Sequence, residues 1–494
     1  MSFGIINWSI LIFLVLGITW LGHRLSSGQK GLDGFFLGGN SLPWWAVSGS
    51  IMATQISAVT IIALPGAVFQ EGGNLLFLQG TLLGFVIAKI LMTLLFVGPF
   101  YEKKIYSPYD FIGHRLGQRA AHLTRVLFLA GAVLGHGVRV LTVSLVLSVI
   151  VDLSIGQSIF FIGLFSVAWS LMGGITTVIW TDLIMFVIMV AGAVISIVTI
   201  AGGLPVGLSE AVSELDASAK LTLFNFSTDP AQTWTVWTGI ICFTVFELAQ
   251  NSVDQVVAQR MMCCKSPRDA KKAVLGSLGI VLFSLLMTVV GLGIWLFYRH
   301  NPPDAAGAAF LAEQPSRAYP YFVFHELPVG VSGLIVAGIF SAGISTLNSA
   351  LAALSETWVN GYYRVKVNPD ADEATVLRMS RRAIVAWGLI LCLLAYAAGL
   401  LVRNQGLLNL AYKAPVATYG PMLMVAIFAL RRKTGIRAII TAVIVSVSSA
   451  ILLLTMRAVW ALPFDEFWIY PFSCLVFLLA HALSRRLDPD RSIA

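Results

Sequence analysis

Charge is scarce in this chain. Of 494 residues, 11% are Asp, Glu, Lys or Arg, against roughly 25% in an average soluble domain. A soluble globule so poor in charge could not cover its surface, which excludes a secreted enzyme and a DNA-binding protein. Cysteine is scarce as well. Its five copies (Cys242, Cys263, Cys264, Cys392, Cys474) show no CxxC spacing and no even set, which excludes a disulfide scaffold and reads as small buried hydrophobes. The adjacent Cys263 and Cys264 lack further residues that could complete a zinc site. No HExxH or GxSxG occurs, and His136 is the histidine clearly inside an apolar run apart from His481 near the C-terminal end, so nothing suggests a membrane enzyme. What the chain has is apolar: 57% hydrophobic residues with 30 Phe and 13 Trp, and a mean hydropathy of +0.85. These features predict an all-α integral membrane protein.

Crossing about 30 Å of hydrocarbon takes about 20 apolar residues. The sequence offers thirteen such runs, near 4–22, 44–66, 74–99, 120–151, 156–172, 177–202, 233–259, 273–298, 329–358, 382–402, 407–430, 437–456 and 466–484. The first lacks the basic leader and cleavage site of a signal peptide and is taken as a membrane helix. One set of alternate loops, with the C-terminus, carries 24 of the 32 Lys and Arg residues. By the positive-inside rule that side is cytoplasmic, which predicts a multi-pass plasma (inner) membrane protein with its N-terminus outside and C-terminus cytoplasmic. The net charge of +8 then needs no nucleic-acid partner. The lipid bilayer is the expected surrounding, and no protein partner is predicted.

Several charges sit where hydrocarbon would penalise them. Lys89, Arg139, Lys413, Asp182, Glu247 and Asp254 fall in or beside apolar runs. At mid-bilayer each costs at least about 2.5–3.5 kcal/mol on insertion scales. They should therefore face the bundle interior or water. Two readings stay open: a polar pathway, or structural ion pairs and snorkelling. Oxygen-rich segments accompany them. Residues 50–66 carry Thr54, Gln55, Ser57 and Thr60 at mid-run before Pro65-Gly66, and residues 340–351 carry Ser345, Thr346, Asn348 and Ser349. A helix unwound at such a patch frees backbone carbonyls to line a cavity, and carbonyls with hydroxyls suit a hard cation such as Na+. Hydroxyls of this kind also serve as plain interhelical glue.

Six motifs in order then resemble the sodium:solute symporter family. They are GGNSLPWW (38–45), IYSPYDF (105–111), GGITTVIWTDLI (173–184), DQVVAQR (254–260), ISTLNSAL (344–351) and YGPML (419–423). The resemblance runs over nearly the whole chain. It implies a LeuT-like five-plus-five inverted repeat with discontinuous helices. The divisions would be a peripheral helix and loop at 1–43, a first repeat at 44–202, an extracellular loop at 203–232, a second repeat at 233–430, and two C-terminal helices with a tail at 431–494. Polar interruptions at Ser50–Gly66 and Thr244–Gln255 are compatible with such paired breaks. Mapped residue by residue, the resemblance implies a Na+ site built from carbonyls of Ala53, Ile56 and Ala342 and hydroxyls of Ser345 and Thr346. A candidate second Na+ site would use Asp182, Ser345, Asn348 and Ser349, with Asn348 standing where a hydroxyl is expected.

The resemblance also implies function: Na+-coupled symport of a small organic solute by alternating access, with Na+ as coupling ion and no organic cofactor. Candidate solute-binding residues are Ser57, Thr60, Lys89, His136, Arg139, Glu247 and Gln250. Sugar-carrying members use a glutamine and an asparagine where this chain has Thr60 and Glu247. Lys89, His136 and Arg139 supply cationic character, and an Arg fork matches a carboxylate. The expectation is a carboxylate-bearing solute: a monocarboxylate, a vitamin-like acid or an amino acid. The alternative within the same class is a sugar or sialic acid. An equal possibility is that Lys89 or Arg139 simply neutralises Glu247. A channel would show repeated pore loops and a sensor a fused signalling domain, and neither pattern is found in the sequence.

Overall fold

The computed structural model describes residues 4–26, 31–56, 58–102, 105–151, 153–172, 174–401, 413, 415–431 and 435–487. Among them the chain is helical, with no strand beyond one isolated bridge between Leu42 and Cys264. The α-helices are α1 Ile5–Ser26, α2 Gly31–Leu37, α3 Trp44–Gln55, α4 Ala58–Phe69, α5 Val86–Leu95, α6 Val97–Phe100, α7 Pro108–Leu116, α8 Gln118–Val151, α9 Ile155–Met172, α10 Ile175–Gly203 and α11 Leu208–Ala217. They continue as α12 Thr244–Ser252, α13 Gln255–Met262, α14 Pro267–Gly276, α15 Gly279–His300, α16 Ala305–Glu313, α17 Ala318–His325, α18 Val331–Trp358, α19 Glu373–Leu401, α20 Val416–Arg431, α21 Ile436–Trp460 and α22 Ile469–Leu487.

The described residues do not confirm the expected thirteen spans. Among the described residues eight helical segments are long and apolar enough to cross a membrane, or nine if α3 and α4 count as one bent span. Shorter apolar helices run Ile5–Leu21, Gly80–Leu95 and Val416–Arg431. The reason is that apolar composition does not require an unbroken helix. The run at 233–259 becomes a π-helical turn at Thr238–Phe243 followed by α12 and α13.

α18 lies at the centre, with 94% of its apolar window inside the bundle, while the windows of α19 and α21 are each 28% buried. The outer helices turn large apolar residues outward, among them Leu389, Leu452 and Trp460 at 60–63% exposure. That pattern suits lipid as the surrounding solvent, because exposed apolar surface carries no penalty there.

Two helices break at interior positions. Between α3 and α4 the axis bends by 54°. Ile56 leaves helical geometry with ψ at 93° while its N–H still reaches the Met52 carbonyl. α15 packs against α4 beyond this bend, so closely that a Cβ on Gly291 would lie 2.7 Å from the Pro65 Cα. The second break separates α12 from α13 at Val253 and Asp254. A break inside a bundle is stable only if its freed backbone groups find partners. Here Tyr109 donates to the Val253 carbonyl at 2.9 Å, and the Asp254 carboxylate caps the Val256 N–H at 2.8 Å. Tyr419 donates to the other Asp254 oxygen at 2.5 Å. Asp254 is thus a structural cap.

The loop motifs act as fasteners. Ser107 and Asp110 form a reciprocal capping box that starts α7, and Arg125 pairs with Asp110 at 2.9 Å. In residues 38–40 Gly38, Gly39 and Asn40 all take positive φ, a turn natural for glycine and asparagine. It lets Asn40 donate to the Met262 carbonyl and the Leu42 N–H to the Cys263 carbonyl at 3.1 Å. All five cysteines are free thiols, three of them buried.

Candidate functional site

Asp182, on α10, is fully buried and joins the broken helix to the central one. One of its oxygens accepts from Ser50 at 2.5 Å and Thr54 at 3.4 Å, both on α3. The other accepts from the Ser345 hydroxyl on α18. These contacts hold the C-terminal end of α3 beside the Ser345-Thr346 pair, and both hydroxyl residues are 3% exposed. Ala53 and Ile56 are likewise buried on this end of α3. The last carbonyls of a helix have no partners within it, so a helix that ends here can offer backbone acceptors on the side that Asp182 ties to Ser345. Ser345 donates its proton to Asp182 and keeps oxygen lone pairs for a cation. Ala342 lies one turn earlier on α18, and its side chain is outside the described residues.

The other candidate Na+ ligands diverge. Ser349 accepts from Arg260, whose guanidinium also pairs with Asp182 at 3.1 Å and donates to Ser50 at 2.9 Å. Arg260 is 1% exposed. The charge pattern of the sequence puts it among the cytoplasmic loop charges, yet it lies on α13 inside the bundle. The DQVVAQR motif carries it, but only the fold reveals its partner. Asn348 turns to α9. It meets Ser170 at 3.3 Å and, with its amide nitrogen on that side, donates to the Ser166 carbonyl at 2.7 Å.

A second buried polar cluster gathers around Gln55 at the end of α3. Lys89, on α5 and fully buried, donates to Gln55 at 2.9 Å and to Asn251 at 2.7 Å. Glu247, on α12 and 1% exposed, accepts from Asn251 at 3.1 Å and from Gln55 at 3.4 Å through one oxygen. Its other oxygen has no hydrogen-bond partner among the described residues. Gln250 accepts from Gln55 at 3.1 Å. The cluster therefore gathers Lys89, Glu247 and Gln250 of the expected solute residues. It adds Gln55, one of the polar residues of the 50–66 segment, and Asn251, which no local pattern singles out.

On α8, His136 is buried with Nδ1 unpartnered, and Arg139 is half-buried. The Arg139 guanidinium makes no hydrogen bond or ion pair with the described residues. Thr60 is half-buried on the first turn of α4, and Ser57 lies outside the described residues. Lys413 proves to be a structural ion pair, bonded to Asp465 at 3.2 Å with Glu466 at 3.6 Å.

Comparison with known proteins decides the class. The model of the sodium:solute symporter family matches residues 35–452. The chain belongs to that family. Among similar proteins is the sodium/sialic acid symporter SiaT of Proteus mirabilis (strain HI4320), 27% identical over 90% of this chain and 89% of the relative. The human sodium/iodide cotransporter is 25% identical over 85% of this chain and 65% of its own length. The bovine sodium-coupled monocarboxylate transporter 2 is 27% identical over 84% and 67%. In fold, the chain matches a substrate-bound, outward-open Na+-coupled sialic acid symporter with a TM-score of 0.86, at 22% identity and 99% coverage of both chains. It also matches the nucleobase-cation-symport-1 transporter Mhp1 in a closed conformation with a TM-score of 0.58, at 14% identity over 93% of this chain and 96% of that one.

This symporter therefore has the LeuT-like architecture of paired discontinuous helices, and it is a multi-pass integral membrane protein. It is a Na+-coupled transporter of a small-molecule solute, not an enzyme, and Na+ is its coupling ion.

Proposed function

We propose that this symporter couples one Na+, held by the carbonyls of Ala53, Ile56 and Ala342 and the hydroxyls of Ser345 and Thr346, to a solute bearing a carboxylate. The observation that carries the solute reading is Arg139, a half-buried guanidinium on α8 that makes no hydrogen bond or ion pair with the described residues. Lys89 does not need the solute, because two amide oxygens already hold it. Glu247 shares Gln55 and Asn251 with Lys89, whose positive charge offsets its own. An unpaired guanidinium in such a place is matched by a bidentate carboxylate. Two relatives point the same way: sialic acid and monocarboxylates each carry this group.

Arg260 supports the reading of a single ion. Asp182 is already neutralised by that guanidinium, Ser349 accepts from it, and Asn348 faces α9. A second monovalent cation would add an uncompensated buried charge. In the membrane the Lys/Arg-rich loops put the N-terminus outside and the C-terminus in the cytoplasm of a plasma-membrane protein. The first repeat would occupy 44–202 and the second 233–430.

Purified symporter in proteoliposomes tests this. N-acetylneuraminate, lactate, nicotinate, proline and galactose are screened by thermal shift with Na+ or choline, and each compound that shifts the melting temperature is then tested for uptake. A carboxylate should accumulate only with Na+, with a Hill coefficient near one for the ion. Accumulation of galactose alone overturns the carboxylate reading, and a coefficient near two overturns the single ion.

A further inference from the structure

Gln55 stands at the junction of the two polar regions. It is the last residue of α3, between Ala53 and Ile56. Its side chain enters the second cluster, accepting from Lys89 at 2.9 Å and donating to Gln250 at 3.1 Å and to Glu247 at 3.4 Å. Lys89 then reaches Asn251 at 2.7 Å, one turn along α12 from Glu247. Backbone and side chain of one residue thus connect the break of the first broken helix to α12, just before the break of the second.

We infer that Gln55 is the positioning residue through which Na+ binding is transmitted to the solute-binding cluster on α12. The inference rests on the Na+ site proposed above. Without an ion, the carbonyls of Ala53 and Ile56 lack the ligand proposed to hold them. With Na+ bound to the carbonyls of Ala53 and Ile56, the peptide units on both sides of Gln55 are fixed. Its amide is then held in one direction, Lys89 is held between Gln55 and Asn251, and α12 is ordered where Glu247 and Gln250 project. Ordering one region by a ligand at another is a coupling free energy, and it acts in both directions. A solute that orders α12 would tighten Na+ by the same factor.

The alternative is that Gln55 only satisfies a buried lysine. Amide hydrogen exchange on the full-length symporter in lipid nanodiscs separates the two, with Na+ alone as the probe and choline as the control. In the wild type, Na+ should slow exchange about 5-fold or more at residues 50–56 and also at 245–252. In Gln55→Leu the slowing at 50–56 should persist while that at 245–252 disappears. In Gln55→Glu, which loses the donor to Glu247 and Gln250 but pairs its carboxylate with Lys89, itself bonded to Asn251, the slowing at 245–252 should return through Lys89. Persistence at 245–252 in Gln55→Leu, or no return in Gln55→Glu, overturns the inference. Slowing confined to 50–56 in the wild type also overturns it and leaves the Na+ site standing. No slowing at 50–56 in the wild type overturns the Na+ site, and the inference with it.

Discussion

Arg260 and Asp182 form an ion pair at 3.1 Å with side chains 1% and 0% exposed. It ties α13 to α10, and through Ser50, Ser345 and Ser349 it also reaches α3 and α18. One buried pair thereby joins four helices of the bundle, the broken one and the central one among them.

Removing one member of a buried pair leaves the other charged and unpaired, at a cost of about 3–5 kcal/mol. Arg260→Met should therefore lower the thermal stability of the purified protein strongly. The double variant Arg260→Met/Asp182→Asn should recover much of the loss. If the double variant is as unstable as the single one, the charge pairing is not what matters at this site.

Loss of the two hydroxyls on α18 should act on the ion before it acts on the fold. Ser345→Ala/Thr346→Ala should abolish Na+-driven uptake and the rise in melting temperature that Na+ produces, which follows RT ln(1 + [Na+]/Kd) for a ligand of the folded state. A variant that still melts higher in Na+ than in choline would remove these hydroxyls from the cation site.

Arg139→Gln should weaken affinity for a carboxylate solute about 10- to 100-fold, the scale of a hydrogen bond to a charged group. Its melting temperature without solute should change little, because the half-buried guanidinium has no hydrogen bond or ion pair with the described residues to lose. Unchanged affinity in a binding titration would take Arg139 out of the solute site.

Lys220 caps the far end of α4. Its buried ammonium donates to the carbonyls of Val68 at 2.7 Å and Gln70 at 2.8 Å, with the Trp295 ring 5.2 Å away. A cation at a helix C-terminus satisfies orphan carbonyls and the helix dipole. Lys220→Met should destabilise the protein by about 1–3 kcal/mol, read as faster exchange at residues 66–70. Unaltered exchange there would show that the cap contributes nothing.

Much of the membrane class was legible from composition, since scarce charge and long apolar runs suit a lipid surrounding and little else. Both helix breaks were also legible, because hydroxyls, amides and a carboxylate at mid-run have no purpose in a lipid-facing helix. The number of uninterrupted spans was not, because hydropathy averages over a bend or a π turn without registering it. The roles of Asp254 and Lys413 were equally hidden. Whether a charge serves function or structure depends on its partners, here Tyr419 and Asp465, which lie far away in sequence.

By itself the sequence determined which residues had to be buried and which family motifs the chain carries, because those follow from side-chain chemistry and local order. Only the tertiary structure decided that Arg260 sits with Asp182, that Asn348 faces away from it, and that Gln55 joins the two polar regions. Each of these is a pairing between distant segments, fixed by how helices cross rather than by any local propensity.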